Sequence, residues 1–147
     1  MVKSSFKNPP VHQSALDQLP PVICQQLAAL KPEQFPFSLM SINIRRFQVF
    51  NDAYGFEVGD RALHQLVEVV KTVSGAKAFE LFKAHNLVVF YPHTDESQIK
   101  HLAQAIKNQF QALAIPFQHP EVKIEAGILT IRTEFATCHE KPMTGTR

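Results

Sequence analysis

Asn51 and Asp60 bracket the stretch FNDAYGFEVGD, Phe50 to Asp60. A carboxamide both donates and accepts, and a carboxylate accepts, so the two together can read the edge of a polar ligand. Each residue also has a plainer role. Asp60 in the first turn of a helix is favoured by the dipole by about 0.3–1 kcal/mol, and Asn51 suits a helix-ending turn. Asp52 reads as a local polar cap. Other chemistry is thinly represented. The seven His are scattered without His-x-x-x-His spacing, so no metal site built on His85 and Asn43 is expected. Lys83, Arg45 and Arg46 can gather and hold an anion without metal, or form a solvated basic rim. There is no glycine-rich phosphate loop and no suggestion of a nucleophile triad.

The elements that must position these residues follow from periodicity. Pro20-Pro21 opens a short helix to about Leu30, since proline suits a first helical turn. FSLMSINI, Phe37 to Ile44, carries apolar residues on both faces, as a central strand does. RRFQVFNDAY is a short helical turn closed by Gly55. In EVGDRALHQLVEVVKTV, residues Leu63, Leu66, Val67, Val70 and Val73 mark one buried helix face. AKAFELF and LVVFYP, with KAHN between them, form a hairpin. Asp95 and Gln98 make a capping pattern for a helix to about Leu113. IPFQHPE is a loop, VKIEAGILTIR a last strand, and TEFATCHEKPMTGTR has no periodicity. Phe47, Phe50, Phe79 and Phe110 belong to the core.

The order predicts an α+β fold, a ferredoxin-like βαββαβ (palm-type) antiparallel sheet with helices on one face. Residues 1–13 form a flexible lead-in, 14–132 the domain and 133–147 an irregular tail. The chain has 147 residues, 45% apolar, enough for one packed core. Its net charge of +2 is too balanced for a nucleic-acid footprint. Cys24 and Cys138 fit no ligand spacing and suggest a reducing compartment. No apolar run approaches the ~20 residues needed to span a bilayer, and the first residues lack a secretory apolar core. A cytoplasmic domain is expected, compatible with being part of a larger membrane-linked protein.

INIRRFQVFNDAYGFEVGDRAL resembles the first half of GGDEF domains, the diguanylate cyclase family. Phe47, Asn51, Asp52, Tyr54, Gly55, Gly59, Asp60 and Leu63 stand in register with that family's D-x-D-x-F-K-x-x-N-D-x-x-G-H-x-x-G-D-x-x-L pattern. The resemblance covers about Phe37 to Arg132. It implies that Asn51 and Asp60 read guanine. It also implies a pair of GTP-bearing domains that form cyclic di-GMP, with divalent metal aligning an in-line displacement. The metal wants carboxylate and carbonyl oxygens, and the phosphates want glycines for close backbone approach.

Residue by residue, this chain departs from that chemistry. The first metal carboxylate falls on Asn43, the metal-reaching carbonyl on Ile44 and the next acidic position on Arg45. The signature pentapeptide falls on Lys83, Ala84, His85, Asn86 and Leu87, of which only the apolar last position is kept. The family's inhibitory product site would fall on Ser74 to Lys77, without its charges, and its closing helix has no equivalent after Arg132. The expectation is a catalytically inactive GGDEF-like domain, without metal or cofactor, in cyclic di-GMP signalling. It would regulate or bind a protein partner or a second copy, and hold a guanine nucleotide weakly. The alternatives are an active cyclase with an altered metal site and an RNA-binding module of the RRM type, for which LVVFY would supply stacking aromatics.

Overall fold

The computed structural model describes residues 19–75, 78–82, 86–117 and 127–139. The expected lead-in, Ala76, Lys77, Lys83, Ala84, His85, residues 122–126 of the expected last strand, and 140–147 lie outside them. The helices are α1 (Pro21–Ala28), α2 (Phe47–Tyr54), α3 (Phe56–Ser74) and α4 (Glu96–Ala112). The strands are β1 (Phe37–Ile44), β2 (Ala78–Phe82), β3 (Asn86–Tyr91), β4 (Pro116–Phe117), β5 (Gly127–Ile128) and β6 (Ile131–Cys138). The main sheet has the order β2-β3-β1-β6 with every pairing antiparallel. That is the ferredoxin-like arrangement the element order predicts.

β1 sits in the middle, and its alternation serves two cores. Met40, Ile42 and Ile44 join Leu87, Val89 and Tyr91 on one face, under α3 and α4. Leu66 and Val70 of α3, with Ile99, Ala103, Ile106 and Phe110 of α4, fill the space between. Phe37 and Leu39 point the other way, to Val88 and Phe90, where Ile23 and Leu27 of α1 cover them. Helices on one face only is therefore corrected: α1 packs on the opposite face. A side chain far along the chain supports it there. Pro20 offers α1 no capping side chain, and the Glu80 carboxylate on β2 accepts from the Val22 N–H at 3.2 Å. This satisfies one of the orphan donors of the first turn.

Helix ends follow their local chemistry. Asp95 accepts from the Gln98 N–H at 2.9 Å, and Gln98 accepts from the Asp95 N–H at 2.8 Å, closing a capping box on α4. α3 stops at Gly75, which has φ 60° and donates to the Lys71 carbonyl.

The last strand differs from its expected place. β6 runs from Ile131 to Cys138, into the stretch read as an irregular tail, and pairs with β1 along its whole length. IPFQHPE is not wholly a loop either: Pro116 and Phe117 pair with Ile128 and Gly127. The physical reason is exposure. β6 is an edge strand, half-buried from Thr133 to Thr137, so charged residues are tolerated and no apolar run announces it.

Tyr91 closes β3 against α3. Its hydroxyl donates to Ser74 Oγ at 3.0 Å, and Ser74 Oγ donates to the Val70 carbonyl at 2.5 Å. Burial pushes the Tyr91 phenol from 10.0 up to about 12, with the Ser74 hydrogen bond acting the other way. In the unfolded chain the phenol ionises first, so the folded state binds the extra proton. Stability is fully present below pH 10 and falls as pH rises toward 12. The expected loss is at most ~3 kcal/mol at ~1.4 kcal/mol per unit. Urea unfolding of Tyr91→Phe against the parent across that window should show the slope flattened in the variant.

Candidate functional site

An open cavity of about 660 Å³ lies at the end of β1 and over α2 and the start of α3. The sequence places its walls close together. β1 ends at Ile44, two arginines turn the chain, and α2 begins at Phe47. The turn is sharp: the Arg45 N–H donates to the Thr130 carbonyl at 2.9 Å, and Arg46 takes a left-handed φ of 56°. α2 then ends at Gly55, whose φ of 95° lets α3 start at once. Asn51 and Asp60, on successive helices, both line the cavity.

Asn51 is held by a close approach. Gly59 is buried in α3, and a Cβ built there would collide with the Asn51 carboxamide. The Asn51 Oδ1 atom is buried and has no hydrogen-bond partner among the described residues. A buried acceptor left unpaired costs about 1–3 kcal/mol, so its position asks for a ligand that donates to it. Asp60 is exposed and free of any ion pair among the described residues. It is the fifth residue of α3, past the first turn, where Glu57 is the acidic residue instead. Its expected helix-dipole role is therefore corrected. So is the capping role of Asp52, which is an exposed residue inside α2.

The positions that the resemblance aligns with the family's metal site form a different arrangement. Asn43 and Asn86 are directly opposed across β1 and β3. Asn43 Nδ2 donates to Asn86 Oδ1 at 2.9 Å. Asn43, Ile44 and Arg45 line the cavity, joined by Arg46 and Arg132. Arg132 comes from β6, where it opposes Asn43 on the strand's other side. Leu87 is fully buried in the core. Lys83, Ala84 and His85 lie outside the described residues, as does any role of Lys83 in an anion cluster. Among the described residues no group of three His, Cys, Asp or Glu could hold a metal ion. Two neutral amides joined by one hydrogen bond and three guanidiniums supply no anionic oxygen and do not fit a hard divalent cation.

Sequence reasoning passed over two residues. Arg132 is remote in sequence, and only the β1–β6 register brings it to Asn43. Phe56 stands where the family pattern has His, and it is 76% exposed while lining the cavity. Its place in FNDAYGFEVGD was a usable signal, because a Phe at a helix start has no core to fill there.

The RRM alternative loses its footing. Phe90 is buried beneath α1, and Tyr91 is buried on the helix side. Neither offers an open face for a base. The expected product-site position Ser74 is taken up by Tyr91 and Val70. Among the described residues after Arg132 there is only strand β6 and His139, with no closing helix.

Sheet order, helix placement and a cavity at the end of the first strand define a palm-type α+β domain. The family model for the diguanylate cyclase GGDEF domain matches residues 18–142. The chain belongs to the GGDEF domain family. It is structurally similar to the FimX GGDEF domain from Pseudomonas aeruginosa (TM-score 0.60, 15% identity, 81% of this chain and 69% of that one). It is similar also to the GGDEF domain of DgcB from Caulobacter crescentus in complex with c-di-GMP (TM-score 0.56, 19% identity, 69% and 57%). A third likeness is to the diguanylate cyclase SiaD in complex with its activator SiaC from Pseudomonas aeruginosa (TM-score 0.57, 14% identity, 74% and 40%). The chain thus spans less than two thirds of the DgcB and SiaD chains. No curated protein sequence matches it.

Proposed function

We propose that this is a catalytically silent GGDEF domain with a regulatory or protein-interaction role in cyclic di-GMP signalling. It retains weak guanine-nucleotide binding through Asn51 and Asp60. The observation that carries the reading is the amide pair of Asn43 and Asn86 beside Arg45, where the family's chemistry calls for carboxylates. A cyclase must neutralise triphosphate charge with divalent metal while one nucleotide attacks the other. Here neutral amides, one donating to the other, stand in place of the carboxylates, and a guanidinium beside them repels a cation. The unpartnered Asn51 oxygen supports retention of base reading.

A protein partner is part of the same proposal. A relative is known in complex with an activator protein, and a domain without turnover acts by contact. Among the described residues no helix is long and apolar enough to cross a membrane. We place the domain in the cytoplasm, where its nucleotides are found. Incubation with GTP and Mg²⁺ or Mn²⁺, read by chromatography, is expected to give no cyclic di-GMP. Accumulation of product above a protein-free control would sink the reading and return the altered-metal cyclase to favour.

A further inference from the structure

We infer that this cavity holds the phosphates of a guanine nucleotide with arginine in place of a divalent cation. The inference rests on the proposed guanine reading and adds the ligand's charged half and its independence of metal. Arg45, Arg46 and Arg132 reach one cavity from the β1–α2 turn and from β6. All three are exposed, and among the described residues no carboxylate pairs with their guanidiniums. Asp60 is the one acidic side chain among the described residues that line the same space. The local balance is therefore strongly positive in a chain whose overall charge is only +2.

Guanidinium suits the task chemically. It is planar, permanently charged and forms bidentate hydrogen bonds to phosphate oxygens. Such groups neutralise phosphate charge from the protein side, as a bound cation would from solution. They do not place a second nucleotide for attack, which agrees with a domain that binds without turnover. The base end is supplied by the Asn51 carboxamide, whose buried oxygen lacks a donor, and by Asp60. Phe56, exposed at the rim, offers an aromatic face on which a purine can stack.

The test is calorimetric titration of the whole chain with GDP, guanosine and inorganic pyrophosphate, each in excess EDTA and in excess Mg²⁺. GDP and pyrophosphate should bind in EDTA, with affinity falling as salt rises. Guanosine should bind about 10-fold or more weakly than GDP. Arg132→Ala and Arg45→Ala should each weaken GDP by about 10-fold while circular dichroism and melting stay those of the parent. Arg132→Lys, which keeps the charge and loses the fork, should recover only part of the loss. GDP binding that appears only with Mg²⁺ overturns the arginine clamp and leaves the guanine reading standing. Guanosine and GDP binding equally overturns it likewise. Pyrophosphate binding as tightly as GDP supports the clamp and ends the guanine reading. Absence of binding by all three ligands overturns both.

Discussion

A Phe50→Ala chain is expected to lose about 3–5 kcal/mol of stability, read as a lower urea midpoint with an unchanged slope. Phe50 is 1% exposed. Its ring lies 4.8 Å from that of Tyr54 and 5.9 Å from that of Phe117, joining α2 to the short β4 strand. No other residue of α2 is fully buried. The eight-residue helix is too short to persist on its own propensity, so this ring, with the partly buried Phe47 and Val49 packed beside it, fastens it. The same variant should weaken the proposed guanine nucleotide binding, because Asn51 follows Phe50 directly. A loss below about 1 kcal/mol would mean that α2 is held by something else.

Gly59→Ala is expected to separate stability from binding. Two effects favour the folded state. Alanine gains about 1 kcal/mol over glycine inside a helix. The new Cβ also drives the Asn51 carboxamide out of its buried seat, where its oxygen has no partner. Release of that oxygen to water recovers part of the ~1–3 kcal/mol its burial costs. Against them stand the repacking of Asn51, whose Cγ lies 2.9 Å from the point the new methyl would occupy, and a tight approach to Phe47 Cζ at 3.4 Å. Thermal melting should therefore be unchanged or raised, while guanine nucleotide affinity falls about 10-fold or more for the loss of a base-reading hydrogen bond. Full binding together with the parent's melting temperature would show that Asn51 does not read the base. A site that sacrifices stability for an unpaired acceptor is the pattern expected where function constrains the fold.

Much of this was legible because the relevant residues are contiguous. β1 falls on FSLMSINI, since apolar residues on both faces mark a strand buried on both sides. Asn51, Gly55, Gly59 and Asp60 sit in one short stretch, so local chemistry suffices to group them. What was illegible depends on packing between distant segments. Nothing in PVICQQLA says which face of the sheet it covers. β6 hides its pairing among Arg132, Glu134 and two threonines, and without that register Arg132 could not be brought to Asn43. The Asn43–Asn86 bond likewise depends on the β1–β3 register rather than on either residue's neighbours.

That bond has a consequence for the resting domain. Two carboxylates set face to face on adjoining strands repel until an ion arrives to bridge them, so such a pocket tightens when loaded and slackens when empty. Two carboxamides clasp one another with nothing between them. The start of β3, where the β2–β3 turn ends, is tied to β1 by a neutral hydrogen bond that needs no ion. This end of β3 therefore keeps the same tie to β1 whether or not an ion is present, which suits the proposed role as a surface read by a partner.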